Sequence, residues 1–225
     1  MTYRNVVKGV FLSRPNRFIA HCLVEGKEEI CHVKNTGRCK ELLIPGTTVY
    51  LQDCLSPTRK TRYDLIAVDK SGVLFNIDSQ APNKAVAEWL PIFLGKDPAI
   101  RPEYTFGKSR IDFFAQQGDR HILMEVKGVT LEKNGVALFP DAPTLRGTKH
   151  LQELTEAIKN GYECYVIFVI QADGVSSFSP NQETDPAFAE ALCKAHKAGV
   201  NVLAYDCHVT PNQMMIRNPI PVILS

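Results

Sequence analysis

Short apolar runs separated by turn residues fill the first 80 residues of the chain. Runs such as VVKGVFLS, RFIAHCLVEG, TTVYLQDC and YDLIAVD recur about every ten residues and are rich in β-branched and aromatic side chains. This pattern predicts a small all-β unit, a barrel or a sandwich, and a Greek-key barrel of about five strands fits its length. The segment TGRCKELLIPG would supply the short helix or turn that such barrels often carry.

Beyond residue 80 the apolar positions alternate between helical stripes and buried strands. Three helices are predicted, APNKAVAEWLPIFLG with Asn83 as its cap, TLRGTKHLQELTEAIKNG ended by Gly161, and DPAFAEALCKAHKAG opened by Asp185 and Pro186. Strands are predicted in the hairpin SRIDFFAQQGDRHILMEVKGVTL and in GVALFPDAP, YECYVIFVIQ and VNVLAYDCHV. The helix before YECYVIFVIQ is long enough for a right-handed crossover, which would make this strand parallel to GVALFPDAP. The second unit is therefore predicted to be mixed α/β with a central sheet.

The composition is that of a globular protein, because 44% of the 225 residues are apolar and 22% are charged. No apolar run approaches the roughly 18 residues of a membrane span, and the N-terminal segment lacks the apolar stretch of a signal peptide. A cytoplasmic protein without a membrane partner is therefore expected. The seven cysteines, an odd number without CxxC spacing, indicate free thiols rather than disulfides or zinc ligands.

Charge is distributed unevenly along the chain. Residues 1–70 contain 12 Lys and Arg against 7 Asp and Glu, whereas the remaining residues contain 14 against 17. A basic unit beside a mildly acidic one suits a surface that binds a polyanion next to a site that binds a cation. The excess is too small to identify nucleic acid by itself.

Three charged residues interrupt the apolar hairpin at residues 109–131. Glu125 and Lys127 leave the same face of one strand, and a bend near QQGDR would bring Asp112 beside them on the neighbouring strand. Two carboxylates with retained waters suit Mg²⁺ or Mn²⁺, and Lys127 would orient a water that attacks a phosphate. A surface salt-bridge cluster is the alternative. The apolar surroundings favour the metal site, because charge on a central strand is costly.

Basic residues next to aromatic ones form two further clusters, RPNRF (14–18) and RKTRY (59–63). Their cations would contact phosphates while Phe18 and Tyr63 stack on bases. The alternative is a turn with solvated arginines. The nucleic-acid-binding candidates in these clusters are Arg14, Arg17, Arg59, Lys60 and Arg62.

Two loops and one strand end add further candidates. Arg38, in the turn NTGRCKELL, would help backbone N–H groups to hold a phosphate, unless this is only a structural turn of the barrel. In FPDAPTLRGTKH, Arg146 and Lys149 would bind phosphate and His150 would act as an acid or base. The alternative is a capped helix start with its cations in solvent. Gln171 would either emerge at the site or serve as a satisfied core amide.

The helix bearing an acid, the Asp on one strand and the Glu-x-Lys on the next resemble the core of the PD-(D/E)xK nuclease superfamily. The chain is closer still to the sugar fermentation stimulation protein A family. The segments that carry this resemblance are RPNRF, NTGRCKELLIPG, RKTRYDL, GKSRIDF, EVKGVTL, FPDAPTLRGTKHLQEL and FVIQ. The resemblance implies an OB-like barrel at 1–80, a nuclease-like α/β domain with a central mixed sheet at 81–225, DNA binding and a regulatory role in sugar, chiefly maltose, metabolism.

The resemblance also assigns roles to further residues. Glu88 would be the acid of the first helix, although a solvent-facing glutamate is the alternative, and the carbonyl of Val126 would complete the metal shell. The Pro that gives the superfamily its name is Ile111 here.

Two functions are therefore expected. In the first, a Mg²⁺- or Mn²⁺-dependent phosphodiesterase, Asp112 and Glu125 hold the ion, Glu88 assists and Lys127 positions the water. In the second, a DNA-binding regulator keeps the nuclease fold without turnover. Non-sequence-specific DNA binding is expected in both, and the sequence leaves open RNA, strandedness and a homodimer.

Overall fold

The computed structural model describes residues 1–107 and 109–224, so Lys108 of the motif GKSRIDF lies outside the described residues. The N-terminal strands form a six-stranded sheet in the order β3-β2-β1-β4-β5-β6, and a parallel pairing of β3 with β5 closes the first five strands into a barrel. This confirms the predicted all-β barrel. The strands are β1 (Val6–Asn16), β2 (Ile19–Val24), β3 (Lys27–Val33), β4 (Thr48–Asp53), β5 (Tyr63–Lys70) and β6 (Val73–Asn76).

The barrel follows the alternation of its strands. Every second residue of β2 and β4 is buried, as expected for strands with one face on a core. The segment TGRCKELLIPG forms turns rather than a helix. All seven cysteines are free, as predicted.

The second unit is α/β with a central mixed sheet, which also confirms the prediction. Its six-stranded sheet has the order β15-β14-β12-β9-β8-β7, and β12 runs parallel to both β9 and β14. A separate three-stranded sheet has the order β10-β11-β13. The helices are α1 (Ala81–Leu94), α2 (Leu145–Lys159) and α3 (Pro186–Lys197). The strands are β7 (Ala99–Phe106), β8 (Ser109–Gln117), β9 (Arg120–Val129), β10 (Leu131–Lys133), β11 (Val136–Phe139), β12 (Glu163–Ile170), β13 (Ser177–Pro180), β14 (Asn201–Thr210) and β15 (Gln213–Pro219).

The parallel partner of β12 differs from the predicted one. The strand in GVALFPDAP, β11, pairs with β10 and β13 in the small sheet, and β12 instead lies along the whole of the long, buried strand β9. A strand of four residues offers too short a ladder for β12, which pairs with β9 at eight positions.

The ends of two helices agree with their predicted signals, and the start of the first does not. The side chain of Asp185 accepts a bond from the Phe188 N–H at the start of α3, and Gly161, just beyond α2, has a φ of 82° that favours glycine. The prediction of Asn83 as the cap of α1 is wrong. The helix begins at Ala81, so Asn83 lies inside its first turn.

Two apolar layers cover the central sheet. Met124 and Val126 of β9 pack in a core with α1, whereas Leu123 and Val129 pack in a core with α2 and α3. Because side chains alternate along a strand, Glu125 and Lys127 leave β9 on the side of α2.

The barrel and the α/β unit meet at a buried amide. The Nε2 of Gln171 donates to the carbonyl oxygen and to Oδ1 of Asn76, at 3.0 and 3.1 Å, and to the carbonyl oxygen of Asp78 at 3.1 Å. Gln171 is therefore a satisfied core amide, and it attaches the end of β12 to the segment between β6 and α1. No helix of the described residues is both long and apolar enough to cross a membrane.

Candidate functional site

Asp112 lies beside the strand that carries Glu125. The ladder between β8 and β9 ends at the pair Phe113–Met124, one position before Asp112 and Glu125 would pair. There the side chain of Asp112 takes the place of a backbone carbonyl as hydrogen-bond acceptor. Its Oδ2 accepts from the N–H of Val126 at 2.8 Å. Its Oδ1 accepts from Asn83 Nδ2 of α1, also at 2.8 Å. Asp112 is therefore held against the residue that follows Glu125.

The pKa of Asp112 reflects both its burial and the charge of Glu125. The pKa of Asp112 is raised, first by burial and then by the negative charge of Glu125. The bonds from Val126 and Asn83 and the charge of Lys127 lower this pKa and only partly compensate. The two carboxylates repel each other and would be stabilised by a cation between them.

Glu125 has one oxygen engaged and one buried without a partner. Its Oε1 accepts from Lys127 Nζ at 2.7 Å and from Nδ1 of His150, which reaches it from α2. Among the described residues, its Oε2 has no hydrogen-bond partner. Burial raises the pKa of Glu125, but His150 and Lys127 outweigh burial and hold it below the usual value. Glu125 is thus an ionised carboxylate with one buried oxygen that lacks a hydrogen-bond partner.

This arrangement fits a divalent cation. A buried carboxylate oxygen without a partner is costly, and an ion would satisfy it and also relieve the repulsion between Asp112 and Glu125. Within residues 1–107 and 109–224, no three His, Cys, Asp or Glu side chains group around one metal position. The protein donors would therefore be two carboxylates and the Val126 carbonyl, with waters completing the shell, which suits Mg²⁺ or Mn²⁺.

Lys127 stands where the sequence predicts it. Its side chain is 15% exposed and its ammonium is bound to Glu125. The lysine therefore borders the two carboxylates while still reaching solvent.

Glu88 does not join this group. Its carboxylate is 65% exposed and binds the N-terminal ammonium of Met1 at 2.6 Å. It follows Asn83 by five residues, which is a rotation of about 140° around the helix. The assignment of Glu88 as the acid of the site is therefore wrong, and α1 contributes the amide of Asn83 instead. In the sequence, the contact of Asn83 with Asp112 is signalled only by the presence of an amide side chain in the first turn of the helix that precedes the hairpin.

The predicted residues of α2 have three different surroundings. His150 is buried, so it does not face a phosphate from solvent. Its Nδ1 contacts Glu125, and its Nε2 lies 3.4 Å from Arg146 Nε. Arg146 and Lys149 are exposed, and the Nζ of Lys149 lies 3.6 Å from Oε1 of Glu153.

The two basic clusters of the barrel differ in how many of their cations are paired with carboxylates. In RKTRY, Arg59 pairs with Asp64 and Arg62 pairs with Asp53. Tyr63 is only 4% exposed, so the expected stacking on a base is wrong, because its ring belongs to the barrel core. Lys60 is exposed, and no carboxylate of the described residues pairs with it.

In RPNRF the arginines have separate roles. The guanidinium of Arg14 donates to the carbonyls of Arg17, Asn35, Gly37 and Arg38, at 2.7 to 2.9 Å. It is therefore a structural clamp rather than a free phosphate contact. Arg17 and Arg38 are exposed, and Phe18 is 51% exposed.

Comparison with known proteins gives consistent matches over nearly the whole chain. Residues 12–77 match the model of the SfsA N-terminal OB domain, and residues 80–213 match that of the sugar fermentation stimulation protein RE domain. A sugar fermentation stimulation protein homolog of Desulfitobacterium hafniense is 56% identical over 215 residues, which cover 95% of this chain and 94% of the relative. A homolog of Clostridium beijerinckii is 52% identical over 226 residues, with both chains fully covered.

A solved structure also matches. The structure of Pyrococcus furiosus SfsA in complex with Ca²⁺ superposes with a TM-score of 0.89 at 29% identity, covering 99% of this chain and 98% of that one. The two proteins therefore share the order and packing of both units.

Proposed function

The chain belongs to the sugar fermentation stimulation protein family, and from that premise we propose that it binds nucleic acid, chiefly DNA, and hydrolyses phosphodiester bonds with Mg²⁺ or Mn²⁺. The observation that carries the proposal is the buried, unpaired oxygen of Glu125 beside Asp112, whose pKa is raised by burial and by the charge of Glu125. The relative from Pyrococcus furiosus, which was solved in complex with Ca²⁺, supports a divalent cation, because Ca²⁺ and Mg²⁺ both take oxygen ligands. A part in the control of sugar metabolism follows from the family description alone.

Each residue of the site has a separate task. Asp112, Glu125 and the Val126 carbonyl would hold the ion, which when bound lowers the pKa of a water and neutralises charge on the phosphate. Lys127 holds its ammonium at the edge of the two carboxylates, where it orients the attacking water and counters charge on the phosphate oxygens. Arg146 and Lys149, exposed in the first turns of α2, would bind the flanking phosphates.

A DNA-binding regulator without turnover is the second candidate. The position of Glu88 favours it, because α1 supplies an amide where a third carboxylate was expected. The two candidates differ in cleavage and not in binding.

Cleavage with different metals distinguishes the two. Labelled single-stranded and duplex DNA would be incubated with the protein in Mg²⁺, Mn²⁺, Ca²⁺ or a chelator. Hydrolysis is expected with Mg²⁺ and Mn²⁺, and none with the chelator. Retention of DNA without hydrolysis in any metal would instead select the regulator.

We predict that His150→Gln weakens Mn²⁺ binding by about 10- to 100-fold, the usual effect of losing a partner that orients a metal ligand. The reason is that His150 and Lys127 share the engaged oxygen of Glu125 and so aim the other one. Calorimetric titration of the protein with Mn²⁺ measures the affinity. His196→Gln, at an exposed position of α3, is the matched control. Equal affinity in both variants would remove His150 from this role.

A further inference from the structure

A groove of about 660 Å³ crosses from the barrel to the loop that precedes α2. Its walls combine an apolar part with a cationic one, and Ala142 closes the end towards the α/β unit. Besides Ala142, the apolar residues are Phe11, Leu12, Leu43 and Pro45, and the cations that line it besides Arg14 are Arg17, Arg38 and Lys40. No Asp or Glu is among the described residues that line it.

The cations of this groove are free to bind an anion. Arg17, Arg38 and Lys40 are exposed, and none of them forms an ion pair within the described parts of the chain. By contrast, Arg59 and Arg62 of the other basic cluster are neutralised by buried aspartates. Three exposed cations that form no ion pair are complementary to a run of phosphates.

The groove is built by specific contacts rather than by chance crowding. Arg14 binds the carbonyls of both of its loops, and the N–H of Arg38 donates to Asp141 Oδ2 at 3.2 Å. Gly37 allows this approach, because a Cβ there would lie 2.7 Å from Asp141 Oδ2 and 2.9 Å from Asn35 Oδ1. The barrel loop is thus attached to the loop before α2.

Two exposed apolar side chains lie close in sequence to residues of the groove and could contact the faces of bases. Phe18, next to Arg17, is 51% exposed, and Leu145, the first residue of α2, is 90% exposed. A duplex hides the faces of its bases in the stack, whereas a single strand offers them to aromatic and apolar side chains. A cationic groove with an apolar wall therefore suits unpaired nucleotides better than a duplex.

The groove also continues towards the Glu125 site. Thr36 and Gly37 line it on one side and border a cavity of about 170 Å³ on the other. That cavity is also lined by Gly128 and Val129, which directly follow Lys127 on β9. A strand lying in the groove would have its continuation along the residues of β9 that follow Lys127.

We propose that this groove binds a single-stranded segment of nucleic acid and leads it to the Glu125 site. The inference rests on the proposed function, which identifies the ligand as nucleic acid. It adds that the bound nucleic acid is single-stranded. Arg17, Arg38 and Lys40 bind the phosphates, and the exposed Phe18, next to Arg17 in the chain, stacks on a base.

Binding without cleavage tests this assignment. Fluorescence anisotropy in Ca²⁺ or a chelator would compare a labelled single strand with the blunt duplex of the same sequence. Wild-type protein is expected to prefer the single strand by at least about tenfold, the effect of one stacked base. Phe18→Ala should remove most of this preference. The triple variant Arg17→Ala, Arg38→Ala and Lys40→Ala should lower the salt slope of log K by about two, since each single-strand phosphate contact contributes about 0.7.

The matched control removes three exposed lysines elsewhere, as Lys159→Ala, Lys194→Ala and Lys197→Ala, and should leave the slope unchanged. Equal affinity for strand and duplex, or a slope that the groove substitutions leave unchanged, would overturn the assignment. Failure of catalysis is separate. A protein that prefers the single strand but never cleaves it would keep the groove and lose the phosphodiesterase.

Discussion

The Asp112→Asn variant is expected to lose Mn²⁺-dependent cleavage by about 100- to 1,000-fold, which corresponds to several kcal/mol of transition-state stabilisation. The substitution removes one of the two carboxylates and keeps the size of the side chain. Its amide oxygen can still accept from Val126 or from Asn83, which hold Asp112 in place. Single-turnover cleavage of labelled DNA measures the loss. Asp119→Asn, in the exposed turn of the same hairpin, is the matched control.

Stability separates a catalytic effect from misfolding. The folded-state pKa of Asp112 is raised, so its ionised form costs stability that a protonated or neutral group would not. This cost appears as pH rises through the range in which the carboxyl ionises, and the amide variant lacks it. In a chelator at neutral pH, Asp112→Asn should therefore unfold at the same denaturant concentration as wild type or a higher one. A variant that folds normally and still cleaves at the wild-type rate would exclude this site.

Lys34→Met is expected to destabilise the protein by about 3–5 kcal/mol, the usual cost of leaving a buried charge without its partner. The Lys34 ammonium lies 2.7 Å from Asp78 Oδ2 and 3.8 Å from Asp64 Oδ2, and both aspartates are buried. Asp78 belongs to the segment that Gln171 ties to the sheet, so the loss falls on the junction between the units. Urea unfolding followed by circular dichroism measures the change.

Lys8→Met, at an exposed position of β1, is the control for this loss and should change stability by well under 1 kcal/mol. Burial raises the pKa of Asp64, but Arg59 and Lys34 outweigh it and leave that pKa lowered. The contribution of this group is therefore present at neutral pH and is lost as pH falls through its folded-state pKa. If Lys34→Met unfolded like Lys8→Met, the junction would not depend on this ion pair.

Local periodicity was enough to predict the main parts of the site. Glu125 and Lys127 share a face because side chains alternate along a strand, and this holds wherever the strand packs. The bend near QQGDR forms at Gly118 and Asp119 as expected, which brings Asp112 close to Glu125. The barrel, the glycine at the end of α2 and the cap of α3 depend on similarly short patterns.

Contacts between distant segments could not be read in the same way. Asn83 contacts Asp112 and Glu88 does not, because the helix begins two residues before Asn83 and its rotation is set by packing on the sheet. The charge of Arg62 is neutralised by Asp53, the last residue of β4, which lies beside it. The spacing of basic residues in the sequence does not reveal this ion pair. His150 reaches Glu125 from 25 residues away. Each of these contacts depends on tertiary packing between segments that are distant in sequence.

The position of a bound ion tests the central claim most directly. A crystal of the wild-type protein would be soaked in Mn²⁺, and the anomalous scattering of manganese would locate the metal. The predicted result is a peak within coordination distance of Asp112, Glu125 Oε2 and the Val126 carbonyl. A well-diffracting, Mn²⁺-saturated crystal with no peak there, or with its only peak elsewhere, would contradict a metal-dependent site in this hairpin.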